Sequence, residues 1–113
     1  MGLDIRISRA KPIYCPHCGE LVTYRDVDTI NCGGRWWYEF LESIGYYKPY
    51  VKGKPYSQPM YGKDMALNDE QIDKLEKFVT ESDFCTSYQM IKTLNLIESA
   101  RIDGDAIIIN ADW

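Results

Sequence analysis

The stretch Tyr14-Cys15-Pro16-His17-Cys18-Gly19-Glu20 constrains the fold more than any other part of the chain. Two cysteines flank a Pro-His pair, and a glycine follows at once. Pro16 fixes φ at its position and favours a tight turn. Gly19 can take φ > 0 without Cβ strain, which lets a backbone N–H swing toward a sulfur. The chain must therefore reverse here. Upstream, Leu3, Ile5 and Ile7 alternate with Asp4, Arg6 and Ser8, the period of a half-buried strand. Lys11-Pro12 is expected to end that strand. Downstream, Leu21 to Ile30 is rich in Val, Thr and Tyr and reads as a second extended segment, closed by Asn31-Cys32-Gly33-Gly34. The expectation is a hairpin over 14–34 with two thiols in its turn.

Two thiolates separated by two residues can point at one ion. Zinc takes four ligands in a tetrahedron, and Cys-x2-Cys supplies two of them. Cys32 is the next candidate, because Gly33-Gly34 gives turn freedom beside its thiol. The expected ligand set for Zn2+ is Cys15, Cys18 and Cys32, with His17 and Cys85 as candidates for the fourth position. Against them, His17 sits inside the turn and would usually face outward. Cys85, just ahead of a helix cap, reads more simply as a small buried residue. Three ligands and a water would make an open site of the catalytic kind. The bland alternative is a pair of reduced thiols in a turn.

The order Cys-Pro-x-Cys-Gly, followed by Glu20-Leu21-Val22, resembles the first knuckle of zinc ribbons and related zinc-knuckle domains. The resemblance implies a local metal site. A full zinc ribbon has a second Cys-x2-Cys, and this chain has none. Cys15-Pro16-His17-Cys18 also matches the dithiol of the disulfide-introducing periplasmic oxidases of the thioredoxin superfamily. In those, the first cysteine opens a helix whose N-terminus lowers its pKa. Here a strand-like segment follows, and no βαβ unit fits upstream. More broadly, Met1-Gly2-Leu3-Asp4-Ile5-Arg6-Ile7, Gly34-Arg35-Trp36-Trp37-Tyr38-Glu39-Phe40-Leu41 and Asn110-Ala111-Asp112-Trp113 are similar to small proteins of bacteria and their prophages. That similarity implies no activity and assigns no functional residue.

The rest of the chain reads as helices around a long loop. Trp36, Trp37, Phe40, Leu41 and Ile44 give Arg35 to Ile44 a wide apolar helical face, with Gly45 as its stop. Residues 46–66 change character. Lys48-Pro49-Tyr50 and Lys54-Pro55-Tyr56 repeat, and prolines and glycines forbid a long helix. No acidic residue occurs from Gly45 through Lys63. Tyr47, Lys48, Tyr50, Lys52, Lys54, Tyr56, Tyr61 and Lys63 are the candidate partner-binding residues, for a protein partner or for single-stranded nucleic acid, on whose bases the tyrosines could stack. The competing reading is an ordered loop with tyrosines laid over the core. Asn68 and Gln71 form a capping-box pair ahead of Ile72, Leu75, Phe78 and Val79. Thr86 or Ser87 caps a third helix through about Ala100. Ala106 to Ile109 is a short apolar run suited to a central strand beside the first. Asp103, Asp105 and Asp112 could gather on a hard cation, although turn chemistry explains them more simply.

The expected architecture is a single α+β domain over 1–113. Its elements run β-β-α-α-α-β, with helices on one face of a small, mostly antiparallel sheet. A chain of 113 residues with 45% hydrophobic content suffices for one core. A net charge of −4 argues against a generally basic nucleic-acid binder. Four cysteines are too few for a disulfide-dense secreted scaffold, and Asp4, Arg6 and Arg9 interrupt any apolar leader. Reduced cysteines in the cytoplasm follow as the expectation, with no membrane partner. A single histidine, within the knuckle, leaves no base for a Ser or Cys nucleophile. No phosphate-cradling glycine motif occurs. These absences weigh against an enzyme and toward an interaction module with a structural zinc or self-association. A thiol-redox or metal-dependent enzyme is the alternative.

Overall fold

Residues 4–33 fold back on themselves as one antiparallel hairpin. Strand β1 (Asp4–Tyr14) pairs with β2 (Leu21–Gly33), from Asp4 opposite Gly33 to Tyr14 opposite Leu21. The computed structural model describes residues 3–113, so Met1 and Gly2 of the quoted N-terminal run lie outside it. After the hairpin come α1 (Trp37–Ser43), β3 (Asp64–Ala66), α2 (Asp69–Glu81), α3 (Ser87–Asp103) and β4 (Ala106–Asp112). The strands form one antiparallel sheet in the order β2-β1-β4-β3. The last strand does lie beside the first, and the α+β architecture is the one read from the sequence. One short strand, β3, is added inside the long loop. Three residues are too few to show any alternation, so only its pairing with β4 reveals it.

Period-two patterning sets which face is buried. Ile5 and Ile7 of β1, Ile30 of β2, and Ile107 and Ile109 of β4 join the core. They meet Trp37, Phe40 and Leu41 of α1, Ile72, Leu75 and Val79 of α2, and Leu96, Ile97 and Ala100 of α3. Each such aliphatic side chain contributes about 1.5–3 kcal/mol on full burial. Reciprocal capping boxes fix the starts of α2 and α3. Gln71 N donates to Asn68 Oδ1 at 2.8 Å, and Gln89 N donates to Thr86 Oγ1 at 3.1 Å. Helix α1 begins later than its apolar pattern suggests, because Gly34 turns there at φ +117°. Trp36 folds its ring against Gly34, where a Cβ would overlap it, and stacks on Phe84 at 5.0 Å.

The proline expected to end β1 does not end it. Pro12 lies within the strand, opposite Tyr24. Strand β4 stops at Ala106, opposite Ala10, so beyond that point β1 has a neighbour on one side only. A residue without an N–H is tolerated there. The hairpin consequently runs past the sheet as a two-stranded ribbon. The radius of gyration, 14.9 Å, exceeds the roughly 13 Å expected of a compact chain this long. No helix among the described residues is long and apolar enough to cross a membrane.

Candidate metal centre

The knuckle sits at the tip of this ribbon. Cys15 N donates to Glu20 O at 2.8 Å, and Gly19 N donates to Cys15 O at 2.9 Å. These two bonds close the turn, and Gly19 supplies the left-handed φ of +72° that it needs. Cys18 is exposed and Cys15 half-buried. The backbone N–H groups of Cys18 and His17, together with the Cys18 thiol, favour the Cys15 thiolate and hold its pKa below the ordinary cysteine value. Metals bind the thiolate rather than the thiol, so this backbone arrangement prepares Cys15 as a ligand. The tip is a strand-turn-strand, and no helix starts at Cys15. The dithiol therefore lacks the helix N-terminus that the redox resemblance requires.

Cys32 does not join them, which corrects the three-sulfur expectation. It stands opposite Ile5, at the far end of the ladder from Tyr14. Nine strand residues lie between Ile5 and Cys15, a separation of roughly 33 Å at 3.3 Å per residue. Two sulfurs on one zinc must lie within about 4 Å, since each Zn–S bond is near 2.3 Å. Cys32 is instead a buried member of the core. Burial and the neighbouring Cys85 push its pKa up to about 11. Cys85, between α2 and α3, packs on the same core and is likewise raised by burial. As candidate fourth ligand it is at the wrong end of the molecule. Among the described residues, no three His, Cys, Asp or Glu side chains gather where one ion could bind them all, so His17 does not complete the knuckle. Nor do the three aspartates gather. Asp103 and Asp105 accept from Arg9 Nη1 at 3.1 and 2.9 Å, while Asp112 lies opposite Asp4 at the other end of β4.

The long loop divides into a packed part and a projecting part. Tyr46 is fully buried, and its hydroxyl donates to Lys63 O at 2.6 Å and accepts from Ala111 N at 2.9 Å. Tyr47 and Tyr61 surround Trp113, with ring centroids 5.4 and 4.7 Å from it. Tyr61 Oη also donates to Trp113 O at 2.9 Å. Tyr46 and Tyr47 cover the core, as the competing reading of the loop expects, while Tyr61 lies outside it against Trp113 and stays exposed. The segment between Tyr47 and Tyr61 projects. Lys48 N donates to Gln58 Oε1 at 3.0 Å and Gln58 Nε2 donates back to Lys48 O, which closes the base of a small loop. Beyond that clasp Tyr50, Lys52, Lys54 and Tyr56 are exposed, as are Lys48 and Lys63 flanking it. The two Lys-Pro-Tyr repeats line a shallow cleft of about 280 Å³.

The sequence reading missed the apolar collar beneath the knuckle. Ile13, Tyr14, Leu21 and Val22 are 42, 58, 47 and 65% exposed. Tyr14 pairs directly with Leu21 at the last rung before the turn. A pair of large apolar residues close to the cysteines on each side was the available signal. Comparison with protein-family models, with curated proteins and with solved structures finds no match to this chain. The chemistry of its own side chains is therefore the guide to what it does.

Proposed function

We propose that this chain is a non-enzymatic interaction module that carries zinc on the Cys15–Cys18 knuckle. The observation that supports it is the placement of both thiols at the outer end of a ribbon ringed by exposed apolar side chains. The donor types suit the metal, and the two cysteines at knuckle spacing supply two of the four ligands that zinc takes. Bound there, zinc would lock the turn. Cys15 and Cys18 would hold it, and Ile13, Tyr14, Leu21 and Val22 would present the contact surface. A reducing compartment such as the cytoplasm suits such thiols.

Metal analysis of protein purified without added zinc tests this reading. Zinc should co-purify, Cys15→Ser or Cys18→Ser should lose it, and Cys85→Ser should keep it. A zinc content near zero in the unaltered chain overturns the reading. Turnover of a dithiol substrate by that zinc-free protein would replace it with the redox alternative.

The cleft between the Lys-Pro-Tyr repeats supports a second reading, binding of single-stranded nucleic acid. Tyr50 and Tyr56 offer exposed rings for stacking, Lys48 and Lys54 line the cleft for phosphates, and Lys52 is exposed in the same loop. Oligonucleotide binding that weakens steeply with salt, and drops on Tyr50→Ala, is its expected signature. Salt-insensitive or absent binding counts against it.

A further inference from the structure

We infer that the knuckle is half of a zinc site that two copies of this chain complete together, Cys15 and Cys18 of each supplying the four sulfurs. The inference rests on the zinc reading above and adds the partner. Tetrahedral zinc needs four ligands, and the tip offers two. The other two cysteines are fixed at the opposite end of β2 and in the α2–α3 connection, and no third ligand gathers with the pair among the described residues. A chain that cannot close the site alone can close it with an identical tip. A two-fold axis through the ion brings in the same two sulfurs from the second copy, a self-complementary contact.

The surroundings of the tip favour that partner. Beyond Ala10 the ribbon has lost β4, and an isolated two-stranded ribbon is marginally stable in water. Its end nevertheless exposes Ile13, Tyr14, Leu21 and Val22 next to the thiols. In a tip-to-tip pair these residues would meet their own copies and be covered around the ion. The ribbon also carries the knuckle clear of the helical layer, so the bodies of two chains can stay apart. The chemistry balances without an oxidant. Four thiols lose their protons to solvent as four Zn–S bonds form, leaving a tetrathiolate centre of charge −2.

The test combines zinc content with solution mass, on the full chain kept in a thiol-free reductant. Half a zinc ion per chain and a mass twice the 13.1 kDa of the chain, falling to one chain on chelation and in Cys18→Ser, is the expected result. Cys18 is exposed at the turn, so that variant should keep the circular dichroism of the parent. Val22→Glu leaves every ligand in place and should weaken the zinc dimer roughly tenfold, the cost of one lost apolar contact. One zinc per chain in a monomer overturns the sharing and leaves the zinc-carrying module standing. A dimer that survives both chelation and Cys18→Ser overturns the sharing as well. No zinc at all overturns both readings.

Discussion

Cys32 stands opposite Ile5 in the β1–β2 ladder, and that pairing decides the character of its thiol. Every residue of β2 is assigned a depth by the register. At the Ile5 end the depth is the core, beside Cys85 and far from water.

The Cys32 thiol should therefore stay neutral and unreactive. Its folded pKa is raised to about 11, against 9.0 for an unperturbed thiol. In the pH window between those values the unfolded chain has released the proton and the folded chain retains it. The contribution to stability is full below pH 9.0 and is lost as pH rises toward 11. Urea midpoints measured across that range should fall with pH, and Cys32→Ala should flatten the decline. Alkylation followed by mass spectrometry should label Cys18 and Cys15 long before Cys32.

Tyr46→Phe should cost about 1–3 kcal/mol in urea denaturation. The buried hydroxyl satisfies Ala111 N and reaches Lys63 O at once, so it ties the start and end of the long loop to β4. Removing it leaves a buried N–H unpaired. Amide exchange should quicken at Ala111 and Gly62, whose N–H donates to Ala111 O at 2.9 Å.

Asp105→Asn should cost roughly 2–4 kcal/mol, by removing the better-buried partner of Arg9. The two side chains are 3 and 16% exposed, and Lys11 reaches the same carboxylate at 3.5 Å. Asp103 would be left as the sole carboxylate on Arg9, and it is half exposed. Thermal melting of Asp105→Asn beside Asp103→Asn should show the first to be the larger loss.

Much of this fold was legible before any coordinates. The alternation of Leu3, Ile5 and Ile7, the helical spacing of Ile72, Leu75 and Val79, and the Asn68–Gln71 box are local signals, and each marks the element it belongs to. The turn at Cys15–Gly19 was equally plain, because proline and glycine act on the backbone of their own positions. Pro12 misled for a related reason. Its missing N–H matters only where a neighbouring strand would need it, and β4 ends two residues short of it.

That two thiols stand in a tight turn between two strands could be read from residues 14–20 alone, because every residue needed for that turn lies within it. Which other side chains share their space depends on how distant segments pack. Strand register placed Cys32 in the core, the α2–α3 connection laid Cys85 against that core, and the knuckle was left with two ligands. The register also carried Tyr14 and Leu21 past the last rung of β4, into water. Register depends on pairing between distant segments, and no run of neighbouring residues encodes it alone.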